Sequence, residues 1–345
     1  MPKTWNEFMR RRDLLKIAGS TAAGAIMSAP AIARSTGGRS GEALREIAVV
    51  QADDQVKIMN RHITAPTQFI EANGIRFAYR RFGSESGTPL LLMQHFRGGM
   101  DHWDPMVTDG FAESRPVILF DNAGVAATSG ETPDRIDTMA QRAADFVQAL
   151  GIRRFDLLGF SIGGYIAQSL CLQYGEFVHR LILVGTGPRA GEPPTDPKYT
   201  KYAGTTDPNT GEGPEEAFQN LFFMPSETSQ AAFRAFWARR HARKENIDPP
   251  SSPQTAAAQR AAITEWRQPK GERFVELKAI RQPTLVVNGS HDIMVPTVNS
   301  FTLSQHIPNA QLIIYPDSGH GSLFQYPELF VKHSRLFLDG PDAPT

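Results

Sequence analysis

Six short runs of almost purely apolar residues recur along this chain, at 89–93, 117–120, 155–158, 181–184, 284–287 and 312–315. A strand with one wet face alternates apolar and polar residues. These runs do not alternate, so each is expected to be covered on both faces. Residues 138–150 and 163–174, lying between such runs, carry helical patterns. Alternation of strand and helix predicts a mostly parallel sheet with helices packed on both faces. Ahead of the first run, two β-like stretches flank Asn73-Gly74 within residues 68–79, a strong short-range signal for a hairpin. One interval breaks the rhythm. From Pro188 to Lys270 no strand can be read, only Pro/Gly/Thr-rich loop and helical stretches that carry Phe218, Phe222, Phe223, Phe233 and Trp237. So long an interval is not a bare loop, and it reads as a helical cap inserted between two strands.

The run at 155–158 leads into Gly159-Phe160-Ser161-Ile162-Gly163 and then into a helix-forming stretch. G-x-S-x-G is a weak pattern alone and a strong one between a strand and a helix. The sharp turn leaves no room for side chains at Gly159 and Gly163. It pushes the Ser161 hydroxyl above the sheet, at the positive end of the following helix. A serine hydroxyl needs a base to take its proton, and on such a sheet the acid and then the histidine follow the serine along the chain. One later run ends in Gly289-Ser290-His291-Asp292 and the last in Asp317-Ser318-Gly319-His320-Gly321. Asp292 and His320 thus lie just past the carboxyl ends of strands, where open α/β sheets place their sites. Ser161 is read as nucleophile, His320 as base and Asp292 as the acid that orients it.

Weaker candidates stand nearby. Asp121, after the run at 117–120, is an alternative acid, and Asp317 could orient its own loop. His291 would point away if Asp292 faces the site. His95 follows a strand but has no acid placed to orient it, and is read as a loop brace. The loop at 94–99 is expected to supply one backbone N–H of an oxyanion hole, that of Arg97, with Ile162 supplying the other; such donors each contribute on the order of 3 kcal/mol. Phe96, Phe222 and Trp237 are candidate pocket residues. The pairs Phe218/Phe222 and Phe233/Trp237 share helix faces by their i, i+4 spacing, a spacing that suits the core of a cap equally well.

In this order, H-F-R-G-G, G-F-S-I-G-G, G-S-H-D and S-G-H-G resemble the α/β-hydrolase superfamily from about Gln68 to Leu338. Residues 121–130 are similar to its D-x-R-G-x-G-x-S stretch, with Ala123 for the usual Arg and Ala126 for a usual Gly, and Phe96 stands where many members have Gly. The resemblance implies an α/β-hydrolase fold: core at 67–187 and 271–340, helical cap at 188–270. It implies a serine hydrolase that acts through an acyl-enzyme on a small ester-type or related carbonyl substrate. Serine at the elbow disfavours the haloalkane dehalogenases and epoxide hydrolases of this fold, which use Asp. Carboxylesterase or lactonase, cofactor-free perhydrolase (haloperoxidase-like) and C–C bond hydrolase share the triad and stay open. So does a catalytically silent ligand-binding protein, because fold does not fix function.

Charge and composition narrow the partners. Lysine plus arginine equals aspartate plus glutamate, 36 against 36, so no global field favours nucleic acid or an anionic membrane, and a small-molecule substrate is expected. The single cysteine, Cys171, can make no internal disulfide and reads as a small core residue. The nine histidines form no H-x-x-x-H or H-E-x-x-H set, and no glycine cluster gives a nucleotide-binding fingerprint after a strand. No metal and no cofactor are implied.

The first 33 residues read as an address. Arg10, Arg11 and Arg12 precede Asp13-Leu14-Leu15-Lys16, a small-residue apolar stretch spans 17–27, and Ala31-Ile32-Ala33 offers a cleavage site. The pattern resembles the twin-arginine signal that exports folded proteins, which implies a periplasmic or secreted product beginning after Ala33. The apolar stretch is too weak to anchor a stable membrane span. Residues 34–66 are expected to form a tether. Removing 1–33 takes away Lys3, Arg10, Arg11, Arg12 and Lys16 but only Glu7 and Asp13, so the basic patch belongs to targeting. Initiation at Met59 would instead give a cytoplasmic protein with the whole core. Replacing Arg11 and Arg12 with Lys is expected to hold the protein in the cytoplasm; unchanged recovery from the periplasm, or an isolated N-terminus at Met59, would refute the export reading.

Overall fold

The computed structural model describes residues 60–203, 205 and 213–341. The expected signal segment, Met59 and most of the expected tether lie outside these residues. The last part of that tether belongs to the folded body: a short helix at Arg61–Thr64 buries His62, whose backbone N–H donates to Asp109 Oδ1 at 2.7 Å.

Eight strands form one sheet in the order β1-β2-β4-β3-β5-β6-β7-β8. They are β1 Gln68–Ala72, β2 Ile75–Gly83, β3 Leu90–Met93, β4 Pro116–Phe120, β5 Phe155–Phe160, β6 Val178–Val184, β7 Thr284–Gly289 and β8 Ala310–Tyr315. β1–β2 and β2–β4 pair antiparallel, and every other pair is parallel. The hairpin between β1 and β2 turns on Asn73 and Gly74, both with positive φ (47° and 77°), as a two-residue turn that matches the strand twist requires.

The apolar runs are buried on both sides because their neighbours in sequence serve opposite faces. Leu91, Met93, Ile118, Leu157, Leu181, Leu183 and Val286 join one core cluster with the helices Ile136–Ala149 and Ile162–Tyr174. Leu90, Leu92, Val117, Leu119, Leu158, Ile182, Val184 and Leu285 join the other, with Pro105–Ala112 and Pro327–Leu338. Each fully buried leucine-sized side chain is worth about 1.5–3 kcal/mol, so both layers are held by the sheet between them. Cys171 lies buried in the first cluster.

Two strands depart from the sequence reading. β6 begins at Val178, earlier than its apolar run, because its polar residues are satisfied: His179 Nδ1 lies 2.9 Å from Asp156 Oδ1, and Arg180 donates to the carbonyls of Gly340 and Pro341 at 2.7 and 2.8 Å. β8 is not covered on both faces. It is an edge strand, and Ile314 is 37% exposed.

Between β6 and β7 the described residues form helices at Pro197–Tyr202, Glu215–Phe222, Glu227–Arg240 and Pro253–Trp266, a short 3₁₀ turn at Val275–Ala279, and no strand. Ser226 and Ser252 accept hydrogen bonds from the backbone N–H of Ser229 and Thr255 and cap two of these helices. Phe218, Phe222, Phe223, Phe233 and Phe236 pack into the same cluster as Leu158 and Val184.

A buried ionic knot ties this interval to the sheet. The fully buried Arg80 on β2 donates to Asp101 and to Asp248, the latter at 2.6 Å. The two aspartates also exchange backbone bonds, Asp101 N–H to Asp248 Oδ2 at 2.8 Å and Asp248 N–H to Asp101 Oδ2 at 2.7 Å. Removing one member of a buried ion pair strands the others without compensation. Arg80→Met is therefore expected to cost about 3–5 kcal/mol of unfolding free energy, measured by urea titration; a loss below ~1 kcal/mol would show that the knot contributes little.

Candidate active site

β5 ends at Phe160, and the Ile162–Tyr174 helix starts one residue after Ser161. Ser161 itself bridges them with φ 58° and ψ −122°, a conformation that costs a non-glycine residue about 1–3 kcal/mol and persists only where its surroundings enforce it. Ser161 N–H donates to the Val184 carbonyl at 3.0 Å, and its own carbonyl accepts from Gly164 N–H and from Thr186 Oγ1, each at 2.9 Å. The flanking glycines are steric requirements. A Cβ on Gly163 would stand 2.2 Å from the Met93 carbonyl oxygen, and one on Gly159 would stand 2.4 Å from the Gly163 carbonyl oxygen.

Asp292 and His320 come from the loops after β7 and β8. Those loops touch at Gly289, where a Cβ would lie 2.3 Å from the Ser318 carbonyl oxygen. His320 Nδ1 is 2.8 Å from Asp292 Oδ2, and both side chains are fully buried. The other oxygen, Asp292 Oδ1, accepts from the backbone N–H of Met294 and Val295 at 2.8 and 2.9 Å. A carboxylate can only accept here, so Nδ1 carries the proton and Nε2 presents a lone pair. That Nε2 is buried and has no hydrogen-bond partner among the described residues. His320 packs on the residue before Ser161: the Phe160 ring is 5.0 Å from the imidazole centroid, and a Cβ on Gly185 would be 3.2 Å from His320 Nδ1. Phe222 meets the imidazole edge-on, also at 5.0 Å.

The other candidates have different places. Asp121 accepts from Met100 N–H at 2.9 Å and braces the loop after β3; burial and the neighbouring Asp248 charge raise its pKa well above the usual carboxylate range. Asp317 accepts from Ser226 Oγ at 2.5 Å. His291 turns to Ser290 at 2.7 Å. His95 donates from Nδ1 to the Phe96 carbonyl at 2.9 Å, and burial pushes its pKa down to about 3, so it is a neutral brace.

A cavity of about 310 Å³ opens over Ser161. Phe96, Arg97, Ile162 and Phe222 line it, whereas Trp237 does not. The expectation that Trp237 faces the pocket is corrected: it packs on Phe218 and Phe233, with ring centroids 5.7 and 5.6 Å away. Its shared face with Phe233 builds the helical layer. Arg97 has φ 61°, its N–H donates to Gln259 Oε1 at 2.7 Å, and its carbonyl accepts from Ser251 Oγ at 2.8 Å. Gln259 and Ser251 carry no local sequence signal; they reach this loop only through tertiary packing. Among the described residues, no group of three His, Cys, Asp or Glu side chains is placed to hold a metal ion, and no helix is long and apolar enough to cross a membrane.

A family model described as alpha/beta hydrolase fold matches residues 88–327. The chain belongs to the α/β-hydrolase family. Its relatives within that family include an alpha/beta hydrolase fold protein from Chitinophaga pinensis, 41% identical, with a TM-score of 0.75 over 81% of this chain and 99% of that one. A pimeloyl-[acyl-carrier protein] methyl ester esterase of Nitrosomonas europaea is 24% identical over 72% of this chain and 94% of its own length. A 2-hydroxymuconate semialdehyde hydrolase of Pseudomonas putida is 27% identical over 74% of this chain and 89% of its own. The α/β-hydrolase elbow gives a direct structural test. Gly163→Ala is expected to lower stability by about 1–3 kcal/mol through overpacking against the Met93 carbonyl, read as a drop in Tm; an unchanged Tm would mean that the turn has room to spare.

Proposed function

We propose that this α/β-hydrolase is a serine hydrolase of ester-type carbonyl substrates. The observation that carries the reading is the buried Asp292–His320 pair at 2.8 Å, with an unengaged Nε2 on an imidazole that packs against Phe160, the residue before the strained Ser161. Ser161 Oγ attacks the carbonyl carbon while His320 Nε2 accepts its proton, and Asp292 stabilises the imidazolium that forms. The proton then passes to the leaving group, and water, activated by the same imidazole, releases the acyl group from Ser161. The Ile162 and Arg97 N–H groups are the proposed donors to the tetrahedral oxyanion. The esterase among the relatives supports the ester reading, and the semialdehyde hydrolase keeps C–C bond hydrolysis as the alternative. A separate observation favours a substrate with a negative charge: Arg260 and Arg267 line the cavity.

The test is a panel of p-nitrophenyl esters, neutral and carboxylate-terminated. Ser161→Ala is expected to lower kcat/KM by at least about a thousandfold, and Asp292→Asn to lower kcat by on the order of ten-thousandfold, both without a matching loss of Tm. A Ser161→Ala protein that keeps a tenth of the activity would overturn the assignment.

A further inference from the structure

If Ser161 is the nucleophile of a serine hydrolase, the reading on which this inference rests, the Arg97 amide must face a developing oxyanion. In this structure it is already engaged. Its N–H donates to Gln259 Oε1 at 2.7 Å, Ser251 Oγ holds its carbonyl at 2.8 Å, and Arg97, Gln259 and Ser251 are all buried. Burial explains why a partner is needed, since an unsatisfied N–H away from water is costly. It does not explain a partner drawn from the insertion, on the Pro253–Trp266 helix. Arg97 lines the cavity over Ser161 and Gln259 is not among its lining residues, so an acceptor from behind the cavity wall occupies the amide of a residue that borders it.

We propose that Gln259 is a latch on the oxyanion hole: its side-chain oxygen holds the Arg97 amide in the free protein and must release it for the hole to be complete. A neutral substrate carbonyl gains little by competing with a neutral amide oxygen. A tetrahedral oxyanion forms a charge-assisted bond roughly twice as strong and wins the N–H. The exchange therefore stabilises the transition state more than the ground state. The latch also links specificity to shape. Arg260, Ile263 and Thr264, on the same helix as Gln259, and Arg267, which caps its C-terminus, line the cavity. A substrate long enough to press on them moves the element that carries the latch, and a short one does not.

The experiment measures the second-order rate at which an alkyl fluorophosphonate labels Ser161, together with kcat and KM for a short and a long p-nitrophenyl ester. In labelling, the Ser161 Oγ–P bond forms, the P–F bond breaks, His320 takes the serine proton and fluoride leaves, while a phosphoryl oxygen seeks the hole. Gln259→Met, which keeps length and volume, and Gln259→Ala are expected to raise labelling and short-ester kcat/KM about fivefold, the size of one net neutral hydrogen bond. The gain should be smaller for the long ester. Gln259→Glu, which keeps an acceptor and adds charge, should slow both by about tenfold. A purely structural residue would slow labelling in all three variants, and that result, or no change in the Met variant, overturns the latch alone. A wild-type protein that takes no label overturns the serine-hydrolase reading itself.

Discussion

No side chain fits between Gly163 and the carbonyl of Met93, and most of the site's geometry depends on that contact. It lets the first turn of the Ile162–Tyr174 helix press against the end of β3, with a would-be Cβ only 2.2 Å from backbone oxygen. The chain can then pass from β5 into that helix through a single residue, which forces Ser161 to φ 58°. The strain is held by hydrogen bonds to Val184, Thr186 and Gly164, so it is distributed over β5, β6 and the helix rather than relaxed locally. The same close approach brings the loop after β3, with Arg97, to the helix N-terminus, where Ile162 N–H has no intrahelical partner.

The opposite wall of the site comes from parallel pairing at the far side of the sheet. β7 and β8 run in register from Thr284↔Ala310 to Gly289↔Tyr315, so the loops that leave them emerge side by side. Gly289 allows them to touch, and Asp292 meets His320 within this contact. The histidine loop is not held by the sheet alone. Gly321 N–H donates to the Phe222 carbonyl at 2.8 Å, and the Phe222 ring packs on the imidazole. The insertion thus helps position His320 as well as covering the cavity.

Three further links show how closely the insertion and the core share responsibility for the site. Asp248 is locked to Arg80 on β2, Ser251 holds the Arg97 carbonyl, and Gln259 takes the Arg97 N–H. All three lie in the stretch from the end of the Glu227–Arg240 helix through the Pro253–Trp266 helix. A small movement of that stretch would reach the backbone of the loop after β3 directly, without passing through the sheet.

Several features were legible in the sequence because local rules decide them. Continuous apolar runs identify strands buried on two faces, Asn73-Gly74 marks a turn that needs two positive φ values, and G-F-S-I-G between a strand and a helix marks an elbow too tight for side chains. The positions of Asp292 and His320 came from strand ends and chain order, and the structure places the two side chains 2.8 Å apart. Other features were not legible, each for a physical reason. The start of β6 was hidden by His179 and Arg180, whose burial is tolerated only because Asp156 and the C-terminal carbonyls answer them. β8 read as fully buried because apolar composition does not reveal an edge. Trp237 shares an i, i+4 face with Phe233, and spacing alone does not say whether such a face meets a pocket or another helix. The sequence by itself therefore determined the strand–helix rhythm, the elbow and the strand-end positions of Ser161, Asp292 and His320, which are properties of neighbouring residues and backbone sterics. Tertiary structure alone decided what Arg97 bonds to. Gln259 and Ser251 lie more than 150 residues from it, and only the packing of the insertion onto the core brings a hydrogen-bond acceptor to that amide.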